Sequence, residues 1–428
     1  MTYSNDYEYK SQIPEGMLPG GISEEKKQLL LGSKSFCIYP WIHLHATPTG
    51  SVTTCCLSHN KLASARETSL EEVWITDQMI DIGLKMLSNQ QTANCHKCYE
   101  DEKHGLISSR ESANKYQGKF INLIDKTQPD GSLSDFQLYY WDIRFSNLCN
   151  FKCRSCGPEY SSNWYDDQVK AWGSVPHTKM LYPGKYKTDM LEQMMVHIPY
   201  VDQIYFAGGE PLIMDDHYTI LNKLIELKRT DVRLIYNTNF SELTYKKQHV
   251  FDLWKQFPSV SVGASLDAEG KRGEYMRKGT DWKQTVANRE LMMKEVPHVD
   301  FYIAATISIF NAWHISDFHA NWVNRGLIKP QDLNINVLQG PAYYRVDAMP
   351  DILKQRVTER IGNHLVWLEP QDTLTRATIG YKGLLTYMNM RDNSGMLPKF
   401  KEVTAILDKV RGENILDAFP ELEEIYEL

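Results

Sequence analysis

The sequence has little of several features that would assign it to a common class. No apolar run approaches the about 18 residues that a membrane span needs. The polar N-terminus, MTYSNDYEYKSQIPEGMLPGG, lacks the layout of a signal peptide. Net charge is −7, from 47 Lys and Arg against 54 Asp and Glu, so no basic excess favours nucleic acid. We therefore expect a cytoplasmic protein with no membrane partner, and the charge argues against a nucleic-acid partner.

Cysteine is absent from the last 272 residues, although the chain has eight. The cysteines form an early group (Cys37, Cys55, Cys56, Cys95, Cys98) and a later group (Cys149, Cys153, Cys156). In a reducing compartment, clustered cysteines indicate metal binding or catalysis rather than disulfides.

Composition and periodicity predict five regions. They are a flexible N-terminal segment (1–35), a cysteine-rich domain (36–103), a connector (104–135), a β/α domain (136–345) and a helical C-terminal region (346–428). In the second region, Gly50 predicts a hairpin turn, and Ser69 with Glu72 predicts the start of a helix over 69–88. The connector contains a possible helix near 107–125.

From residue 136 onward, strand patterns alternate with helix patterns. The predicted strands are 138–145, 203–207, 232–237, 259–266, 301–309 and 333–338, and the predicted helices are 187–197, 215–228, 243–256, 281–295 and 312–325. This alternation indicates a parallel sheet, and six units are too few for a complete barrel. The predicted fold is α/β, a partial barrel with a small N-terminal α+β domain and an inserted loop within 157–200.

The later cysteine group has the spacing CX3CX2C directly after the first predicted strand. Thiolates suit an iron–sulfur cluster or zinc, and both remain open on spacing alone. Three ligands on a four-iron cluster would leave one iron open for a small chelating ligand.

At these residues the chain resembles the radical S-adenosylmethionine (SAM) superfamily. The resemblance implies a partial (β/α)6 barrel in which Cys149, Cys153 and Cys156 hold a [4Fe–4S] cluster and SAM chelates the open iron. The family usually has an aromatic residue before the third cysteine, where this chain has Ser155.

Further motifs follow the later strands in the family's order. Gly208, Gly209 and Glu210 resemble the GGE motif that contacts the methionyl amine. Asn239 matches part of a Thr-Asn-Gly motif, with Phe240 in place of the glycine. Ser265 and Asp267, expected to project from one side of a strand, resemble ribose contacts, and Arg277 resembles a carboxylate contact. Taken singly, each motif also fits an ordinary turn or cap.

The early group, Cys37, Cys55, Cys95 and Cys98, flanks the Gly50 hairpin and ends in CX2C. Metal chemistry alone leaves a structural zinc and a cluster equally open. The spacing resembles the twitch domain, a shortened SPASM domain, which implies an auxiliary [4Fe–4S] cluster. Twitch domains usually follow the barrel, whereas this one precedes it. Cys56 is expected to be a spare.

The resemblance implies reductive cleavage of SAM to a 5′-deoxyadenosyl radical that abstracts a substrate hydrogen. The auxiliary cluster would accept an electron, so we expect an oxidoreductase acting on a peptide or protein side chain. A small-molecule substrate is also compatible with the sequence, and a flavodoxin- or ferredoxin-like electron donor is expected. The alternatives are a redox-neutral isomerase or epimerase and an inactive, zinc-stapled binding protein.

Overall fold

A computed structural model describes residues 18–58, 60–103 and 108–427. The chain divides into two compact units. The first consists of Met1–Ile143 with Tyr182–Asp202, and the second of Arg144–Leu181 with Gln203–Leu428. Each unit contains one of the two cysteine groups. None of the helices in the described residues combines the length and the hydropathy that a lipid bilayer span requires.

The strands and helices are numbered in chain order. The strands are β1 (His45–Ala46), β2 (Ser51–Thr53), β3 (Ala63–Ser64), β4 (Tyr140–Ile143), β5 (Lys152–Cys153), β6 (Gln203–Phe206), β7 (Arg233–Thr238), β8 (Thr244–Tyr245), β9 (Gln248–His249), β10 (Val260–Ala264), β11 (Arg277–Lys278), β12 (Asp300–Ile307) and β13 (Leu333–Val337). The α-helices are α1 (Glu24–Leu31), α2 (Leu70–Trp74), α3 (Asp77–Leu87), α4 (His96–Lys103), α5 (Ser109–Gln117), α6 (Trp164–Trp172), α7 (Asp189–Met195), α8 (Asp215–Glu226), α9 (Val250–Trp254), α10 (Gly270–Met276), α11 (Trp282–Glu295), α12 (Ile315–Asn324), α13 (Asp351–Leu368), α14 (Arg376–Asn389), α15 (Leu397–Arg411), α16 (Ile415–Ala418) and α17 (Glu423–Glu427). Short 3-10 helices cover Tyr39–Trp41, Ala93–Cys95, Gly118–Lys126, Pro211–Ile213, Ala342–Tyr344, Val346–Ala348, Ser394–Met396 and Pro420–Leu422.

The first unit is built on a small mixed sheet in the order β4-β1-β2-β3. Strand β1 pairs in parallel with β4 and antiparallel with β2, and β2 pairs antiparallel with β3. The predicted hairpin is confirmed: Gly50 lies between β1 and β2 with φ +90°, a backbone conformation that glycine adopts at little cost. Helices surround this sheet, so the unit is of the α+β kind that the sequence predicts.

A single helix was predicted over 69–88. The structure has a helix that starts where expected, but the range contains two helices. Ser69 and Glu72 form the reciprocal hydrogen bonds of a capping box at the start of α2. The chain then leaves the helix at Ile75, and Thr76 caps α3 through its side chain. The prediction of one helix was wrong because Thr76 provides a second N-cap inside the apolar pattern.

The second unit contains five parallel strands in the order β13-β12-β10-β7-β6. Helices α8, α9, α11 and α12 lie between successive strands along the chain. All five residues of the central strand β10 are buried, as expected for a strand covered on both faces. Counted with β4, six β/α units follow one another along the chain, which confirms the predicted α/β fold of the partial-barrel class.

Outside these repeats, the structure refines the sequence-based expectations. Residues 24–31 form helix α1, capped by Ser23, although 1–35 was predicted to be flexible; residues 1–17 lie outside the described residues. The stretch 157–200 contains α6 and α7 rather than only a loop. In the connector, α5 and a 3-10 helix replace the single helix predicted near 107–125. The chain after residue 346 is mainly helical, as predicted.

The capping box of α2 gives a test of the first unit. Ser69→Ala should lower the free energy of unfolding by about 1 kcal/mol, because it leaves the N–H of Glu72 without its side-chain acceptor. Chemical denaturation measures the change. Glu71→Gln, an exposed change in the same turn, is the matched control and should alter stability by much less. Equal effects of the two substitutions would contradict the role given to Ser69.

Candidate functional site

The loop that carries Cys149, Cys153 and Cys156 belongs to the second unit and is held by backbone hydrogen bonds. Strand β5, which includes Cys153, pairs antiparallel with β11, so that Cys153 lies opposite Arg277. The N–H of Arg154 donates to Met276 O at 2.8 Å, and the N–H of Cys156 donates to Cys153 O at 3.0 Å. The loop therefore has a fixed backbone even though its strand is only two residues long.

The three cysteines are half-buried and lie near one another. Burial, with a contribution from the neighbouring Cys153, raises the pKa of Cys156 to about 12. Burial and then Cys153 likewise raise the pKa of Cys149. Burial also raises the pKa of Cys153, an effect that the nearby guanidinium of Arg277 opposes. Thiols whose thiolate forms are disfavoured by their surroundings suit a cationic iron–sulfur core, which would neutralise them.

The glycine pair after β6 packs against this loop. Gly208 and Gly209 have φ of +78° and +54°, and a Cβ on Gly209 would lie 2.3 Å from Leu148 O. The next residue, Glu210, donates its N–H to the same carbonyl at 2.7 Å. Only glycine permits this approach, so the GGE turn and the residue before Cys149 are fixed side by side.

The carboxylate of Glu210 is buried and joins the ends of two parallel strands. It accepts hydrogen bonds from the N–H of Leu212 at 3.0 Å, the hydroxyl of Thr238 at 2.6 Å and the N–H of Asn239 at 2.7 Å. Burial raises the pKa of Glu210 to about 7, although these three hydrogen bonds lower it. A carboxylate has about four acceptor positions, so one remains for a cationic donor.

Asn239 and Phe240 occupy the place of the expected Thr-Asn-Gly motif. The amide of Asn239 donates to Asn150 Oδ1 at 2.8 Å, which connects the end of β7 to the cysteine loop. Phe240 is fully buried and has φ +57°, the conformation in which glycine is usually found. The backbone of the motif is thus retained without its glycine.

The expectation that Ser265 and Asp267 project from one side of a strand was wrong, because β10 ends at Ala264. The carboxylate of Asp267 is buried and accepts from Arg277 Nε at 2.7 Å and Nη2 at 2.9 Å. Arg277 Nη1 also lies 3.8 Å from Cys153 Sγ. Asp267 therefore orients Arg277 toward the cysteine loop, while Ser265 is half-buried beyond the strand end.

A small cavity adjoins the same loop. It is lined by Arg154, Ser155, Met276, Thr306, Ser308, Phe310, Leu338 and Tyr344. The small side chain of Ser155 leaves this space open at the position where an aromatic residue was expected. Ser308 and Leu338 directly follow β12 and β13, so the cavity lies at the carboxyl edge of the sheet, where parallel α/β folds bind ligands.

In the first unit, the other four predicted ligands line one small pocket. It is lined by Cys37, Tyr39, Cys55, Leu57, Asn94, Cys95, Lys97, Cys98, Ser109 and Arg110. Cys56 is exposed and does not line the pocket, which agrees with its role as a spare. Burial, with contributions from neighbouring thiols, raises the pKa of both Cys55 and Cys95 to about 12. Four thiols around one pocket fit a fully ligated cluster.

Arg110 is a residue of this second site that sequence analysis did not predict, because no local pattern distinguishes it. Its side chain is 3% exposed and pairs with both carboxylate oxygens of Glu102, at 2.8 and 2.7 Å. It also donates to the carbonyl oxygens of Ser33 and Phe36. Its backbone N–H interacts with Cys98 and lowers the pKa of that thiol, although burial raises it overall. Arg110 thus supplies a positive charge and an N–H donor beside the cysteines.

The cysteines are grouped at both sites without a closed coordination sphere. Across residues 18–58, 60–103 and 108–427, no three His, Cys, Asp or Glu side chains are arranged to hold a single metal ion. The fit to clusters therefore rests on the donor set, its burial and the surrounding N–H and cationic groups.

Comparisons with known proteins match a family to each of the two cysteine-bearing regions. Residues 143–306 match the family model of the radical SAM superfamily, and residues 37–99 match the SPASM iron–sulfur cluster-binding domain. No curated protein matches the chain.

Solved structures with low similarity include anSMEcpe with bound AdoMet and Streptococcus suis SuiB bound to precursor peptide SuiA. The first is 21% identical over 47% of this chain and 50% of its own, with a TM-score of 0.35. The second is 15% identical over 64% of this chain and 60% of its own, also with a TM-score of 0.35. The matched part thus spans about half to three fifths of those chains, and scores this low support no inference about substrate. Residues 143–306 thus form a radical SAM domain that contains the later cysteine group, and residues 37–99 form an N-terminal SPASM domain that contains the early one.

Proposed function

We propose that this radical SAM enzyme oxidises a peptide or protein side chain, with the second site as electron acceptor. When bound, the first cluster and SAM supply an electron and a 5′-deoxyadenosyl radical that removes a substrate hydrogen. The observation that carries the proposal is the contact of the three-cysteine loop, through Leu148, with the GGE turn at the carboxyl edge of five parallel strands.

The surrounding residues suit the binding of SAM at this edge. Glu210 offers its remaining acceptor position to the methionyl ammonium. Arg277, oriented by Asp267, offers a guanidinium to the methionyl carboxylate. The cavity beside Ser155 lies at the same edge of the sheet and is the proposed place of the adenosyl group.

The proposal of net oxidation rests on the second site. Four cysteines would leave no iron free for substrate, so the cluster there would serve structure, electron transfer or both. A buried arginine and N–H donors near the thiolates stabilise the reduced, more negative state of a cluster. The joining of radical SAM and SPASM domains supports the proposal of a peptide or protein substrate. The flavodoxin- or ferredoxin-like donor is proposed from the resemblance to the family. Anaerobic incubation with SAM, reductant and candidate peptides, followed by mass spectrometry, tests the substrate class.

The first site can be tested by removing its ligands. The triple variant Cys149→Ala, Cys153→Ala, Cys156→Ala should lose about four irons and all SAM cleavage, because the three thiols are the proposed ligands. It should keep the other cluster, whose cysteines lie in the first unit. Iron analysis and chromatography of 5′-deoxyadenosine provide the measurements. Cys56→Ala, which removes an exposed cysteine, is the control and should keep both clusters. Undiminished 5′-deoxyadenosine release by the triple variant would refute the assignment.

The second site can be tested by exchanging its metal. Zinc has no redox chemistry, so protein with zinc at Cys37, Cys55, Cys95 and Cys98 should bind SAM but fail to complete turnover. Product analysis after separate cluster assembly at the two sites measures this. Full turnover with zinc would show that the site is a purely structural metal site. It would also favour the redox-neutral isomerase or epimerase.

The buried carboxyl of Glu210 predicts a pH dependence of stability. Its pKa in the folded protein, about 7, lies above the ordinary value of 4.5 because of burial, so the folded state favours the neutral form. The stabilisation is complete below about pH 4.5 and is lost as pH rises to 7. Across this range, the free energy of unfolding of the wild type should therefore fall by roughly 3 kcal/mol relative to that of Glu210→Gln.

Thermal unfolding of the metal-free protein, measured from pH 5 to pH 8, tests this dependence. The stability difference between the wild type and Glu210→Gln should change with pH in favour of the variant. Glu226→Gln, an exposed change on α8, serves as the control and should show a constant difference. If the stability difference between the wild type and Glu210→Gln were also constant, the folded and unfolded proteins would not differ in the pKa of Glu210, which would contradict the prediction.

A further inference from the structure

The end of α15 and the turn after it carry three charged residues that reach the cysteine loop of the second unit. We name Asp408, Arg411 and Glu413 the C-terminal clamp. Their partners lie far away in sequence, since Asp408 pairs with Arg154, 254 residues earlier. The radical SAM family match ends at residue 306, so the clamp lies outside the matched region.

Arg154 lies between Cys153 and Cys156 in the sequence. Two residues of the C-terminal clamp and Tyr275 hold its side chain. Its side chain is 1% exposed and forms ion pairs with Asp408 and, at 2.7 Å, with Glu413. Its guanidinium also lies 3.6 Å from the ring centroid of Tyr275, and Nε donates to Tyr275 O at 3.2 Å. The hydroxyl of Tyr275 donates to Asp408 at 2.8 Å, which closes the group.

The residue on the other side of Cys153 is held in the same way. Lys152 Nζ pairs with Asp167 at 2.8 Å, and the second oxygen of Asp167 accepts from Arg411 Nε at 2.8 Å. The side chains of Asp167 and Arg411 are 2% and 0% exposed. Both basic residues that flank Cys153 are therefore anchored, one directly and one through Asp167.

The charges of this network also suit a site for an anionic cluster. The cationic members are Lys152, Arg154, Lys278 and Arg411, and the anionic members are Asp167, Asp408 and Glu413. One positive charge remains, beside thiolates that would be negative. Removing one partner of a buried ion pair leaves the other uncompensated, which is strongly unfavourable. The loop is thus difficult to displace while the clamp is present.

We propose that the C-terminal clamp positions the loop of the first cluster and contributes to its reduction potential. Asp408 and Glu413 hold Arg154, and Arg411 holds Lys152 through Asp167, so the backbone on both sides of Cys153 is fixed. Arg154 and the clamp residues are positioning residues. The proposal rests on the proposed function only in assigning the cluster to Cys149, Cys153 and Cys156.

The positioning role is tested first without metal, by hydrogen exchange of the metal-free full-length protein. Arg154→Gln, and separately Asp408→Asn with Glu413→Gln, should speed amide exchange within residues 149–156 by about tenfold or more. Glu402→Gln, which breaks an exposed pair with Lys399 on the same helix, is the matched control and should leave this segment unchanged. Arg154→Lys keeps the charge and should show a smaller increase. Unchanged exchange in both clamp variants would overturn the positioning role, whatever the cluster.

A redox titration of the first cluster separates charge from loosening. Loss of the positive charge in Arg154→Gln should lower the reduction potential, whereas loss of two negative charges in Asp408→Asn with Glu413→Gln should raise it. Simple loosening of the loop would move both variants in the same direction, and that result, like no shift in either, would overturn the electrostatic part. A wild-type protein without a four-iron cluster at this site would instead refute the proposed function, and the hydrogen-exchange result would still stand.

Discussion

The confinement of Cys149, Cys153 and Cys156 to one short, half-buried loop is the constraint on which the site of the second unit depends. Each thiol loses hydration, and Cys153 also resists the ionisation of Cys149 and Cys156. Ligation requires the thiolate, so the site has to bring cations and N–H donors to a place that excludes water. Arg277 lies beside Cys153. The ion pairs of Lys152 and Arg154, the two residues that flank Cys153 in the sequence, fix the loop. The fold supplies these groups from three distant parts of the chain.

The same constraint explains why the GGE turn lies where it does. Gly209 allows the turn to touch the carbonyl of Leu148, and Glu210 then reaches the end of β7 through Thr238 and Asn239. The turn therefore couples the cysteine loop to two parallel strands. A carboxylate with a raised pKa is thereby placed beside the thiols, where a ligand that carries an ammonium group would compensate its buried charge.

Much of this could be predicted from the sequence, because the signals are local. The alternation of strand and helix patterns gives the six β/α units, and the CX3CX2C spacing gives the first ligand set. Two predictions from local patterns were wrong. The N-cap at Thr76 was not predicted, and β10 was predicted to extend past Ala264. Tertiary partners could not be foreseen: Asp408, Glu413 and Arg110 are ordinary charged residues in helical sequence, and only the folded chain brings them to the cysteines.

The central claim is that three cysteines hold a four-iron cluster with one iron open to SAM. Mössbauer spectra of protein enriched in iron-57, recorded with and without SAM, test it most directly. The account predicts that SAM changes the signal of one iron of the first cluster and leaves the signals assigned to the second cluster unchanged. Spectra that do not respond to SAM, or a response confined to the second cluster, would contradict it.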